Sequence, residues 1–511
     1  MHRRHFLEST ALTALAASCH RQKQAGPITG GLQNIPSLAE GLELLKSGKL
    51  EARDWLAHCL SQISTRDSQG DALHAIIELK AHPYRLLENL PPGPLRGVPL
   101  LLKDNIETAD GLMTTAGSLA LVGAPQPKRD AFLARRLRAA GAVIFGKANL
   151  SEWANIRSPN STSGWSARGG LTRNPHNPNH TASGSSSGSA AAVAAGFCAA
   201  AIGTETNGSI VSPASACGIV GLKPTLGSIS RTGIIPITSW QDTAGPMTRT
   251  VRDAALLMDV IAAPDPEDPA GTRRPNRVPT SHLEFFSPEA LKGRRLGVVR
   301  SLCGNHPGVL KHFEKTLAVL RAAGAEFVDH IELPNLRQAG TLAWRAMLTE
   351  FRQDLNNYLE RRGGPVRSLA QLIAFNEQHR DEEMPYFGQE FFEEAERRGT
   401  AEAQAEATAA RLDAAKLAGP EGLLAALKAH QLDALVCATN DPPGLIDLSR
   451  GDTSTRVAST PAAVAGYPHL TLPMGRVDGL PVGFSLIGAP WSEPLLLALG
   501  DALETRLGPI Q

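Results

Sequence analysis

The chain lacks most of the features that mark a partner of nucleic acid, membrane or metal. Its 511 residues carry 51 lysines and arginines against 50 aspartates and glutamates, a net charge of +1, so there is no basic footprint for nucleic acid and no acidic or basic partner is implied. After the first two dozen residues no apolar run reaches the ~18 uncharged residues that a membrane helix needs, so no transmembrane helix is expected in the mature chain. The six cysteines, Cys19, Cys59, Cys198, Cys217, Cys303 and Cys437, are scattered without C-x-x-C spacing. That pattern indicates neither a disulfide framework nor a zinc site and favours buried free thiols. Phosphate loop, EF-hand and H-E-x-x-H are all missing, and no cofactor is expected. His176 and His180 are too weak a metal motif, because Pro178 between them breaks a helical i, i+4 face; both are read as loop residues, and no metal is predicted.

What is present centres on Thr181 to Ser209, TASGSSSGSAAAVAAGFCAAAIGTETNGS. A Gly/Ser segment leads into an Ala-rich run that favours helix, and a second glycine turn closes the stretch at Asn207-Gly208-Ser209. Gly/Ser runs are commonly linkers, but Ala190 to Ala201 is small and apolar and suits a buried helix, and a linker does not enter a core directly. An intervening helix and strand allow Ser185 and Ser209 to face one pocket. Gly184 to Gly188 also matches the G-x-S-x-G nucleophile elbow with Ser186 at its centre. That elbow needs a buried strand before it, and TRNPHNPNHTA supplies none.

Along the chain, Ser37-x-x-Glu40 reads as a capping box opening a helix, a second helix runs from about Glu51 to Ser64, and Ala75 to Leu79 reads as a strand. In PLRGVPLLLKDNI a short buried strand ends on Lys103, and a lysine there is costly unless paired or neutral. NLSEWA is expected to begin a helix, and Thr250 to Ala262 forms an amphipathic one. Residues 263–279, rich in proline, read as a surface loop and the best internal boundary. Residues 307–429 are helix-rich, and the charged run from Phe391 to Ala418 is read as a solvated helix face. ALVCA, HLTLP and PVGFSLIG are strands, with a last helix from Glu493. Helices interleaved with short buried strands predict an α/β fold with a parallel or mixed sheet.

At the N-terminus, Arg3 and Arg4 precede Phe6 and Leu7 and a weakly apolar run ending Leu15-Ala16-Ala17-Ser18-Cys19. Residues 1–26 resemble a twin-arginine export signal with a lipoprotein cleavage box. The expected location is periplasmic or lipid-anchored through Cys19, the alternative being a basic tail on a cytoplasmic enzyme.

Lys103, two serines and a glycine turn suggest acyl transfer without histidine. A desolvated lysine, its pKa lowered from ~10.4 toward about 7 to 8, can take a serine's proton. Backbone N–H groups of the turn before Ser209 can face a developing oxyanion.

Six ordered blocks from about Ser37 to Leu499, namely GVPLLLKDN, SGSSSGSAAAVAAG, GTETNGSIVSPA, GLKPT, DTAGPMTRTVRDAA and GLPVGFSLIG, resemble the amidase-signature family. NLSEWANIRS, SGWSARGG, EFRQDLNNYL and GYPHLTLPMG are most similar to its bacterial peptide amidase branch. The resemblance implies one large domain over 35–505, a mixed central sheet surrounded by helices. It places a Ser-cisSer-Lys triad on Ser209, Ser185 and Lys103, with a cis peptide after Gly184, and an oxyanion hole on the N–H groups of Thr206, Asn207, Gly208 and Ser209. The implied activity is hydrolysis of a carboxamide with release of ammonia, the C-terminal amide of a peptide being the favoured substrate. Alternatives are an aryl- or oligoamide hydrolase or esterase with the same triad, one component of an aminoacyl-tRNA amidotransferase, and a binding module with a dead triad. Ser183 and Ser187 stand where many members have Gly, Asn207 where many have a second Gly, and Val211 where many have Arg. The last change removes a charge beside the nucleophile.

Overall fold

A computed structural model describes residues 35–273, 275, 281–452 and 457–509. The export-like segment 1–26, with Cys19, and part of the proline-rich stretch lie outside those residues. Eleven strands, numbered along the chain, form one mixed sheet: β1 Ile76–Leu79, β2 Pro99–Lys103, β3 Val143–Ala148, β4 Ala200–Glu205, β5 Val220–Lys223, β6 Thr243–Thr248, β7 Arg295–Val298, β8 Glu326–Val328, β9 Ala434–Ala438, β10 His469–Val477 and β11 Leu480–Ile487. Their order across the sheet is β1-β3-β2-β4-β6-β5-β10-β11-β9-β7-β8. β3, β2 and β4 run parallel, as do β9, β7 and β8, and the strands between are antiparallel. The expected α/β class with a mixed sheet is what the chain adopts.

The central strands are buried on both faces, so their sequences are runs of small and branched apolar residues rather than alternating ones. Helix Ser187–Ala194 packs on this sheet at very short range. At Gly188 a Cβ would meet the carbonyl of Ala75 at 2.4 Å and the Asn149 backbone at 2.5 Å. Its small residues are therefore a packing requirement, and the linker reading is excluded.

The capping box at Ser37 and Glu40 forms in both directions, and helix Val251–Ile261 is capped by Thr250. One apolar core runs continuously from Leu38 to Leu503, spanning both sides of residues 263–279. In that stretch Asp265 and Asp268 turn inward and bind Ser230 and Arg231. All five described cysteines are buried, and no described helix is long and apolar enough to cross a membrane.

Three local readings change. NLSEWA does not start an α-helix: Glu152–Asn155 is a 3-10 turn in which Trp153, Ala154 and Asn155 are left-handed, with φ of 50°, 54° and 75°. Glu152 is buried here, paired with Arg157 and accepting the Ala167 N–H at 2.7 Å, and these partners bend the chain away from helix. The charged run is not wholly solvated, since Phe392, Ala395, Arg411 and Ala414 lie in the interior. His180 belongs to the short strand Asn177–Thr181, while His176 occupies the turn before it and bonds the Cys217 carbonyl at 2.9 Å. No cluster of metal-ligating side chains occurs among the described residues.

Candidate active site

Two turns meet beside the carboxyl ends of β2 and β4. The first, Ser183 to Ser186, precedes helix Ser187–Ala194; the second, Thr206 to Ile210, joins β4 to helix Val211–Cys217. They are stitched together by the Ser186 N–H, which donates to the Ser209 carbonyl at 3.1 Å, while the Ser185 carbonyl accepts from Ser151 N–H at 3.0 Å. The Gly184–Ser185 peptide is cis. A side chain at 184 would place its Cβ 2.2 Å from Ser151 Oγ, so any residue other than glycine requires that hydroxyl to move.

Lys103 ends β2 with its side chain inside the protein, 0 % exposed. Its Nζ lies 2.8 Å from Ser185 Oγ, 2.9 Å from Thr204 Oγ1 and 3.2 Å from the Thr204 carbonyl. Burial pushes this ammonium down to about 7, against the carboxylates of Asp242 and Glu205, which favour the charged form. Ser185 is 1 % exposed and Ser209 9 %. Among the described residues nothing is hydrogen-bonded to Ser209 Oγ. The turn therefore holds that hydroxyl without consuming it.

Ser186, the centre of the elbow motif, is differently placed. Its hydroxyl donates to the Thr204 carbonyl at 3.0 Å and accepts the Thr204 N–H at 3.2 Å. It repairs the backbone of β4 and is fully buried. His469 is buried against Ser485, with burial holding its imidazole down at about 3, and His430 lies at the end of helix Leu424–Ala429. Neither is bonded to Ser186.

Two residues that sequence reasoning passed over shape the nucleophile turn. Glu205 sends its carboxylate back along the turn to accept N–H groups from Gly208 at 2.8 Å, Ile210 at 2.8 Å and Val211 at 3.1 Å. These donors bracket Ser209, so Glu205 fixes its orientation, and the Gly208 N–H is occupied in the process. Asp242 accepts the Thr206 hydroxyl at 2.6 Å and the Ile237 and Thr238 N–H groups at 2.7 and 3.0 Å. Burial raises its carboxyl to about 6 despite these donors. A buried carboxylate next to a glycine turn is the available signal for Glu205; for Asp242 the partner on the turn, Thr206, is 36 residues away, and its nearer partners, Ile237 and Thr238, give no hint of that contact.

The exposed residue of the nucleophile turn is uncharged. Asn207 is exposed there, its Oδ1 accepting from Ser459 Oγ at 2.7 Å and its Nδ2 donating to Thr460 Oγ1 at 3.3 Å. Val211 is fully buried, so this position offers no charge to a bound molecule.

A buried lysine within hydrogen-bond reach of a serine hydroxyl, set in a mixed α/β sheet with a second serine on the adjoining turn, has the groups that acyl transfer needs. Comparison with known proteins agrees. The family model described as Amidase matches residues 68–497, and the chain belongs to that family, with the amidase-signature fold. The native peptide amidase of Stenotrophomonas maltophilia is 46 % identical with a TM-score of 0.87, the match covering 93 % of this chain and 97 % of that one. The "Probable amidase" of Arabidopsis thaliana is 40 % identical over 450 residues, 84 % of this chain and 83 % of the relative. A glutamyl-tRNA(Gln) amidotransferase chain of Symbiobacterium thermophilum is 38 % identical over 431 residues, 81 % and 83 % of the two chains.

Proposed function

We propose that the protein hydrolyses the C-terminal carboxamide of peptides through an acyl-enzyme on Ser209, with Ser185 as proton relay and neutral Lys103 as base. The observation that carries this is the environment of Lys103 Nζ. A neutral amine has two N–H bonds and one lone pair. The two oxygens of Thr204 take the N–H bonds, and the lone pair is left for the Ser185 hydroxyl at 2.8 Å.

Ser209 Oγ attacks the amide carbonyl as its proton passes to Ser185 Oγ, whose own proton passes to Lys103 Nζ. The carbonyl π pair moves onto oxygen, which faces the turn. Because the Gly208 N–H is committed to Glu205, the oxyanion falls to the N–H groups of Thr206, Asn207 and Ser209. Each such donor is typically worth about 2.7 to 4 kcal/mol in the transition state. Collapse breaks the C–N bond; the proton returns through Ser185 to the nitrogen, and ammonia leaves. Water then attacks the ester by the same route, giving the carboxylic acid and free Ser209.

The peptide reading is supported by likeness to peptide amidases. A second reading, glutamine hydrolysis for an aminoacyl-tRNA amidotransferase, is favoured only by the relatives of that name. Ammonia release from blocked peptide amides, compared with anilides, esters and free glutamine and with Ser209→Ala as blank, tests the proposal. Turnover of peptide amides above the others is expected; turnover confined to glutamine contradicts it.

A further inference from the structure

Behind the nucleophile turn lies a buried ion pair that the chemistry above does not use. Arg411, in helix Ala401–Ala418, is 1 % exposed. Its guanidinium donates to both oxygens of Glu350, in helix Leu336–Arg362, at 3.0 and 2.7 Å, and to the Ala343 carbonyl at 3.3 Å. The remaining arm donates to Gln241 Oε1. Arginine is donor-only, so it dictates the orientation of the Gln241 amide: the oxygen must face Arg411, and the NH2 must face away. That NH2 donates to the Thr206 carbonyl at 3.1 Å.

A second branch leaves from Glu350. Its Oε2 accepts the Thr238 hydroxyl at 2.6 Å, and the Thr238 N–H holds Asp242, which in turn takes the Thr206 hydroxyl. Thr206 is thus gripped at its carbonyl and at its side chain by branches that begin at one ion pair. It is also the residue at which β4 gives way to the turn carrying Ser209. Buried ion pairs are weak devices for stability, and a pair needed only to join two helices does not require the arm to Gln241.

We propose that Arg411 is a positioning residue for the acyl-transfer site: through Gln241 and Glu350 it sets Thr206, and so the donors and hydroxyl of the nucleophile turn. The inference rests on the reading of Ser209 as nucleophile.

The test compares Gln241→Met, which cuts one branch and leaves the ion pair, with the double variant Arg411→Met/Glu350→Gln, which removes both charges so that neither is stranded. Arg411→Lys keeps the charge without the fork that holds carboxylate and amide together. Active sites are counted by stoichiometric labelling with a fluorophosphonate, and kcat and KM are measured for ammonia release from a blocked dipeptide amide. All three variants are expected to lose about 10- to 100-fold in kcat per labelled site, the scale of a small misplacement of reacting groups. KM should stay within about twofold, because the loss is in the transition state, and labelling should slow in parallel. A merely structural pair predicts a lower melting temperature with kcat per labelled site unchanged, and that result overturns the inference. Gln241→Met decides the matter even if the double variant fails to fold. Labelling that survives in Ser209→Ala removes the nucleophile reading and this inference with it, whereas wild-type kcat in Gln241→Met removes the inference alone.

Discussion

Acid should switch this enzyme off through Lys103. Only the neutral amine accepts the relayed proton, and burial holds the group at about 7. At pH 8 most molecules carry a neutral Lys103; two units below the midpoint, at pH 5, about 1 % do, so kcat/KM should fall by up to about 100-fold with an initial slope of one. Asp242 titrates at about 6. As it loses its charge it stops favouring the ammonium, so the limb should become shallower below pH 6. The midpoint belongs to the coupled lysine and serine hydroxyls rather than to Lys103 alone. Stability gives a second handle on the same group. The folded pKa lies below the unfolded value of ~10.4, so the unfolded chain binds more protons between about pH 7 and 10.4. The contribution to stability therefore rises with pH through that window, and the cost is fully present below pH 7. Lys103→Met should accordingly be inactive yet melt higher than wild type at pH 6, while Lys103→Arg should be inactive at every pH, because arginine does not release its proton. Initial-rate ammonia assays from pH 5 to 9 and melting curves at pH 6 decide this. A profile flat from pH 8 to 5, or turnover by Lys103→Arg, refutes the reasoning.

Glu205→Gln should lower kcat by about 100-fold, the scale of a small misplacement of reacting groups, because a carboxamide presents its NH2 to N–H groups that now meet carboxylate oxygens; unchanged kcat with normal folding, read by kinetics and circular dichroism, counts against it. Export is expected to stop when Arg3 and Arg4 become Lys, and lipid labelling when Cys19 becomes Ala, as fractionation and metabolic labelling with palmitate report. Protein found only in the cytosol with an intact N-terminus contradicts that proposal.

The fold was legible where burial leaves a pattern that does not depend on remote partners. PLLLK reads as a buried strand ending on a lysine, and SGSAAAVA reads as a helix in close contact, because both signals are local. Helix Leu336–Arg362 was legible only as part of a helix-rich region, and Arg411, in a run read as a solvated helix face, looked like one more solvated charge. Nothing near it in sequence announces Glu350 or Gln241, which lie on other elements. NLSEWA was misread for the same reason: its left-handed residues follow from Glu152 meeting Arg157 and Ala167, not from propensity. At the site, Lys103 and the serine turns were readable from composition and spacing. Asp242 was not, since its role is to hold Thr206 and a loop from outside that stretch.

The central claim is that the acyl group is carried by Ser209, and fluorophosphonate labelling followed by peptide mapping tests it most directly. The label should sit on Ser209, vanish in Ser209→Ala, and persist in Ser186→Ala, whose hydroxyl is committed to the Thr204 backbone. A label mapped to Ser186, or full activity in Ser209→Ala, contradicts the account.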